Sequence, residues 1–130
     1  MMVLERLLWT FTLIATGSGA YLALKHAHVR VLGRMHTNKK TGRPTLVYFR
    51  SDHCVACPTQ ARYLEQLRQR WQGNWAVEEI DADAEPEKAA EFGVFTLPTT
   101  VLVDAEGKVR EINYGLTNAQ KLSRQLAALP

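Results

Sequence analysis

The sequence predicts an α/β domain, a three-layer sandwich whose central mixed sheet is covered by helices on both faces, carried behind an N-terminal transmembrane helix. Three observations predict it. Leu7–Leu24 is eighteen residues without a charge. Thr45–Arg50, a nearly continuous run of β-formers, leads through the two cysteines of the chain into a helical apolar stripe. From residue 45 onward the pattern reads strand, helix, strand, helix, strand, strand, helix, the order of a parallel βαβ unit followed by a hairpin and a closing helix.

At 1.5 Å per residue the uncharged run spans about 27 Å, enough to cross a bilayer. Trp9 and Tyr21 sit near its ends, where interfacial aromatics belong, and Gly17 and Gly19 are better tolerated in lipid than in a soluble helix. Residues 1–25 are therefore expected to be a membrane anchor with 7–24 spanning. A cleaved signal peptide is the first competing reading, because Ser18-Gly19-Ala20 offers small residues, but Glu5 offsets Arg6 in the leading region; a core helix of the domain is the second. Residues 26–43 follow as a basic juxtamembrane linker with Arg30, Arg34, Lys39, Lys40 and Arg43 and no acid. Such bases meet anionic headgroups and, by the positive-inside rule, mark the cytoplasmic side. His26, His28 and His36 lie here too; interfacial polar residues are preferred to metal ligands, since no Cys or acid accompanies them. Val29–Leu32 reads equally as strand or helix.

The domain itself is expected at 44–130. After the strand at 45–50, Ala61, Leu64, Leu67 and Trp71 recur at helical steps amid Arg and Gln. Trp75–Ile80 reads as the next strand, and Glu85–Phe92 as a short helix with Pro86 in its first turn and Gly93 as its stop. Val94–Val103 is apolar and β-branched, interrupted by Pro98, which marks an edge or a cis turn. Asp104–Gly107 turns into a hairpin partner, Lys108–Tyr114. Thr117, with Gln120 three residues on, reads as a capping box that opens a final helix with the stripe Leu122, Leu126 and Leu129. Tyr48 and Trp71 are expected in the core, and the Glu-rich stretch 78–91 on the solvated surface.

Between strand and helix lies Cys54-Val55-Ala56-Cys57. A cysteine in the first turn of a helix faces unpaired N–H groups and the positive end of the helix dipole, which favours thiolate and lowers its pKa below the ordinary ~8.5. Cys54 is placed there as nucleophile. Cys57, one turn further in and nearer the core, resolves the mixed disulfide formed at Cys54.

Composition excludes several classes. Two cysteines build no disulfide framework, and neither a four-Cys nor a two-Cys two-His zinc spacing is present. The net charge of +3 hints at nucleic acid, but residues 1–43 hold +6 of it and residues 44–130 carry −3. No nucleic-acid partner is expected, because the folded part lacks a basic face or a base-reading motif.

Leu46–Phe49, the Cys54–Cys57 pair opening a helix, Leu97-Pro98-Thr99 some forty residues later and Gly107 in the hairpin together resemble the thioredoxin superfamily over essentially all of 44–130. The resemblance implies a thioredoxin-like fold, a cis Pro98 lying against the cysteines, and Leu97 and Pro98 as a substrate-facing edge that pairs with an extended segment. His53 stands where the family has Trp, and Val55-Ala56 where it has Gly-Pro. As an imidazolium, His53 would stabilise the thiolate and make the disulfide more oxidising; as an exposed residue it merely fills the Trp position, and we prefer that. The family's buried acid falls at Tyr48, so proton handling passes to Asp52, Glu78, Glu79 or water. Pro58 is unusual and is expected to disturb the first helical turn.

The leading function is a membrane-tethered thiol-disulfide oxidoreductase, with reductase favoured, acting on protein thiols and disulfides through Cys54 and Cys57. It needs no cofactor, only a redox partner that regenerates the dithiol. The alternatives are a metal-binding or metal-delivery module using Cys54, Cys57 and His53, and a non-catalytic thioredoxin-like assembly domain. Anchored relatives often face out of the cytoplasm, against the direction the basic linker indicates. The 41 residues from Cys57 to Pro98 leave little room for the insertion that relatives serving cytochrome maturation carry.

Overall fold

The computed structural model describes residues 1–34 and 40–130, the side chains of 28–34 excepted. His36 and Lys39 of the basic linker, and the side chains of His28, Arg30 and Arg34, lie outside the described residues. The chain divides into two compact units, Met1–Gly33 and Arg34–Pro130.

The first unit is one helix, α1 (Met2–Arg34). Its segment Met2–Ala27 is long and apolar enough to cross a membrane, and Leu7, Leu8, Trp9, Phe11, Leu13 and Ile14 are all exposed. The threonines are quieted locally: Thr10, Thr12 and Thr16 donate to the carbonyls of Leu7, Leu8 and Thr12, so these three hydroxyls need no partner outside the helix. His26 does the same, with Nδ1 2.8 Å from the Leu22 carbonyl oxygen. The helix runs on past residue 25, so the first part of the stretch read as linker, Val29–Leu32 included, is helical.

The second unit is built on a four-stranded sheet of order β2-β1-β3-β4. These strands are β1 (Thr45–Arg50), β2 (Ala76–Asp81), β3 (Thr99–Val103) and β4 (Val109–Tyr114). β1 runs parallel to β2 and antiparallel to β3, which pairs antiparallel with β4. The helices are α2 (Cys57–Arg70), α3 (Pro86–Glu91) and α4 (Ala119–Ala127).

Alternation along β1 divides the core. Leu46 and Tyr48 point to one face, against Leu64 and Leu67 of α2 and Leu122 and Leu126 of α4. Val47 and Phe49 point to the other, against Ile80 of β2 and Ala89 of α3, with Phe92 tilted on Phe49 at 5.5 Å. Because both faces are covered, every residue of β1 but Arg50 is buried, which is why the strand reads as an apolar run rather than an alternation.

Two expected details differ. Ala61 is exposed, and the buried side of α2 instead carries Gln60, fully enclosed. Its amide donates to the Thr117 carbonyl at 2.9 Å and accepts the Thr117 N–H at 2.8 Å. The cap of α4 is therefore not Thr117, whose backbone is engaged with Gln60, but Asn118, whose side chain accepts the Lys121 N–H at 2.9 Å.

Candidate functional site

β1 delivers Ser51 to the top of the sheet, and the chain turns twice before α2. The Cys54 N–H bonds back to the Ser51 carbonyl at 3.2 Å, and the Cys57 N–H to the Cys54 carbonyl at 3.4 Å. Cys54 therefore precedes the helix, and Cys57 is its first residue, which corrects the expected placement of Cys54 in the first turn. Pro58 explains the register. As second helical residue it lacks an N–H where none is needed, so it fits the opening turn instead of disturbing it.

The two cysteines form a disulfide with Cα atoms 5.4 Å apart. Their exposure is unequal: Cys57 is 4% exposed in the core, whereas Cys54 is only part-buried. Beneath them, the buried Tyr48 hydroxyl donates to the Cys57 carbonyl at 2.9 Å. Burial, then the nearby Glu79, raises the Tyr48 phenol above its ordinary value, against the opposing pull of Arg50. It stays protonated and serves as a donor.

The carboxylates that sequence alone offers as proton acceptors are engaged elsewhere. Arg50, at the end of β1, pairs with Asp52, with Glu79 at 3.4 Å and with Asp81 at 3.7 Å. Glu78 lies 3.8 Å from Lys88. Asp52, Glu78 and Glu79 are all exposed, as expected for a solvated acidic stretch.

Ser51 is a buried polar contact beside the cysteines that pattern reading missed. Buried, it donates its hydroxyl to Asp83 and accepts the His53 N–H at 3.1 Å, which fixes the turn carrying Cys54 to the β2–α3 loop. A lone serine after a strand gives no periodic signal. His53 itself is exposed.

Opposite the cysteines, Leu97–Pro98 is a cis peptide bond leading into β3. Pro98 is buried, and its carbonyl accepts the Gly115 N–H at 2.8 Å. Gly115 holds φ +85, a conformation that a side chain would strain. A groove of about 740 Å³ runs between the two loops, and His53, Cys54 and Leu97 all line it, with Ala89 and Phe95 on its α3 side. The groove thus brings together three of the five residues singled out at the sequence level, His53, Cys54 and Leu97, while Cys57 lies beneath, bonded to Cys54, and Pro98 is buried next to Leu97. Among the described residues, no group of three His, Cys, Asp or Glu side chains stands close enough to hold a metal ion.

A vicinal cysteine pair, one sulfur reachable from a groove and one in the core, at the junction of a buried strand and a helix, is the redox centre of a thiol-disulfide oxidoreductase. The comparisons agree. The profile of the family described as Thioredoxin matches residues 35–128, and the chain belongs to the thioredoxin family. It is 28% identical over 85 residues to the thioredoxin of Alicyclobacillus acidocaldarius subsp. acidocaldarius, covering 65% of this chain and 80% of that one. It is 32% identical over 72 residues to the bifunctional thioredoxin reductase/thioredoxin of Mycobacterium leprae, covering 55% of this chain but only 16% of that much longer protein. Among solved structures, Fasciola hepatica thioredoxin superposes with a TM-score of 0.59 at 28% identity, over 69% of this chain and 84% of the other.

Proposed function

We propose that the chain is a membrane-tethered reductase of protein disulfides. Residues 1–25 anchor it, residues 26–43 meet anionic headgroups, and residues 44–130 form the redox domain. Cys54 is the nucleophile, Cys57 the resolving thiol, and His53 and Leu97 face the substrate, with the buried Pro98 fixing the Leu97 edge. The observation that carries this reading is the unequal exposure of the pair, Cys54 lining the groove while Cys57 is 4% exposed.

The chemistry follows from that asymmetry. The Cys54 thiolate attacks one sulfur of a substrate disulfide, forming a Cys54–substrate disulfide as the substrate S–S bond breaks; the leaving thiolate takes up a proton. Cys57, deprotonated, then attacks Cys54 Sγ, closing the Cys54–Cys57 disulfide and releasing the second substrate sulfur as a thiol. Two electrons have passed to the substrate. A dithiol donor restores the pair, and a reductase is the natural source, given a relative whose name joins thioredoxin reductase to thioredoxin. Leu97 precedes β3 and lies outside every strand pairing, which supports an edge where an extended substrate segment adds.

The test is the equilibrium reduction potential of Cys54–Cys57 in the full chain, titrated against a thiol redox buffer and read by alkylation mass shift. A reductase has a potential around −270 mV, whereas a value near −120 to −180 mV would make the protein an oxidant or isomerase and refute the direction proposed.

A further inference from the structure

Beside the dithiol, the groove continues onto a pair of aromatic rings that the core does not use. Phe95, in the loop before β3, is 80% exposed, and Tyr114, at the end of β4, is 37% exposed. The rings stack at 4.5 Å between centroids, 29° from parallel. Neither is free to wander. The Tyr114 hydroxyl donates to the Gly93 carbonyl at 3.3 Å, and Thr99 pairs opposite Tyr114 in the sheet, which sets the ring next to the Leu97–Pro98 edge. Phe95 lines the same groove as Cys54 and Leu97. Val55, also exposed, lines the same groove and adds to its apolar surface. A contiguous exposed apolar patch on a folded domain marks an interaction site, and a stacked pair already held in place loses little side-chain freedom when covered.

We propose that Phe95 and Tyr114 form a specificity platform that takes a bulky apolar side chain next to the substrate cysteine; this rests on the disulfide chemistry proposed above. The occupant follows from the groove. Whatever reaches Cys54 must carry a disulfide, so the segment lying along the Leu97 edge is the one bearing it, and its neighbouring side chain falls on the rings. The groove wall supplied by residues 82–90 is Ala82, Pro86, Ala89 and Ala90, small and uncharged, so the neighbouring side chain it receives is apolar.

Single-turnover reduction of two synthetic Lys-flanked disulfide peptides tests this, with the full chain in lipid nanodiscs, pre-reduced and freed of excess reductant. One peptide carries Leu beside its cysteine and the other Ser. The expected result is an apparent second-order rate constant about five- to tenfold higher for the Leu peptide, with the ratio collapsing towards one in Phe95→Ser and retained in Phe95→Tyr. Equal rates for the two peptides in the parent protein would overturn the proposal, as would a ratio that survives Phe95→Ser. Self-association abolished by Phe95→Ser would also overturn it, by giving the platform to a second copy. Should the parent protein reduce neither peptide nor a small aromatic disulfide, the chemistry itself fails and the platform with it.

Discussion

The hydroxyl of Tyr48 donates to the carbonyl oxygen of Cys57 at 2.9 Å, tying the middle of the central strand to the first residue of the helix that carries the buried sulfur. By resemblance this is the position of the family's buried acid. Here a neutral donor occupies it, held protonated by burial. The bond positions Cys57 but gives its thiol no carboxylate to accept a proton. Tyr48→Phe keeps the packing and removes the donor, leaving the Cys57 carbonyl without it. We expect a loss of about 1 kcal/mol, measured as a shift of the urea midpoint in the oxidised protein. The raised phenol also implies stability that is complete below the unfolded value near ~10 and lost as pH rises through the higher folded value. Alkaline unfolding should therefore be shallower in Tyr48→Phe.

Gln60 joins α2 to the approach to α4 by two bonds with the Thr117 backbone, all of it buried. Gln60→Ala leaves an N–H and a carbonyl unpaired and opens a cavity, at a cost of about 2 to 5 kcal/mol. Thermal or denaturant unfolding measures it. A cost below about 1 kcal/mol would mean that the pair is replaced by water.

Asp104 closes the β3–β4 turn. It is 3% exposed and accepts the Glu106 and Lys108 N–H groups at 3.0 and 2.9 Å, and Arg110 Nε at 2.6 Å. Burial raises its pKa, but these bonds outweigh that and leave the carboxyl below its ordinary value. A depressed carboxylate stabilises the fold above its unfolded value of about 4 and loses that contribution as pH falls through the lower folded value. Asp104→Asn is expected to cost about 1 to 3 kcal/mol at neutral pH and to flatten the acid limb of the stability curve below pH ~4. An unchanged acid limb would contradict this.

The tether has its own test. The full chain expressed in bacteria is expected to remain in the membrane pellet after alkaline carbonate extraction, at its unprocessed mass, whereas a chain lacking residues 1–25 is not. Release of the full chain, or loss of the first twenty residues on expression, would favour the signal-peptide reading.

The fold was legible where one force acts alone. Burial on both faces made β1 an apolar run, and the stripe of Leu64 and Leu67 marked the packed side of α2. The pattern misled where a polar residue is buried with a distant partner. Gln60 looks like surface beside Ala61 until Thr117, 57 positions away, supplies both of its bonds, and that engagement in turn moved the cap of α4 to Asn118. The pairing of Cys54 with Cys57 was legible from their spacing, and a cis turn at Pro98 was one of two readings of a proline inside an apolar run. Ser51, Phe95 and Tyr114 were not legible, because the serine acts through a tertiary contact with Asp83 and the two rings meet only when β4 lies beside β3. The continuation of α1 past residue 25 was left open, because hydropathy marks where a helix meets lipid and carries no signal for how far the helix runs beyond it.

The central claim is that the half-exposed Cys54 attacks and the buried Cys57 resolves. Intact-mass analysis of full-length Cys57→Ser and Cys54→Ser proteins, each reduced and then mixed with a disulfide-bonded protein substrate, tests it most directly. The account predicts a stable covalent adduct on Cys57→Ser, mapped to Cys54 and released by dithiothreitol, and none on Cys54→Ser. An adduct forming instead on Cys54→Ser, or on neither protein, would contradict it.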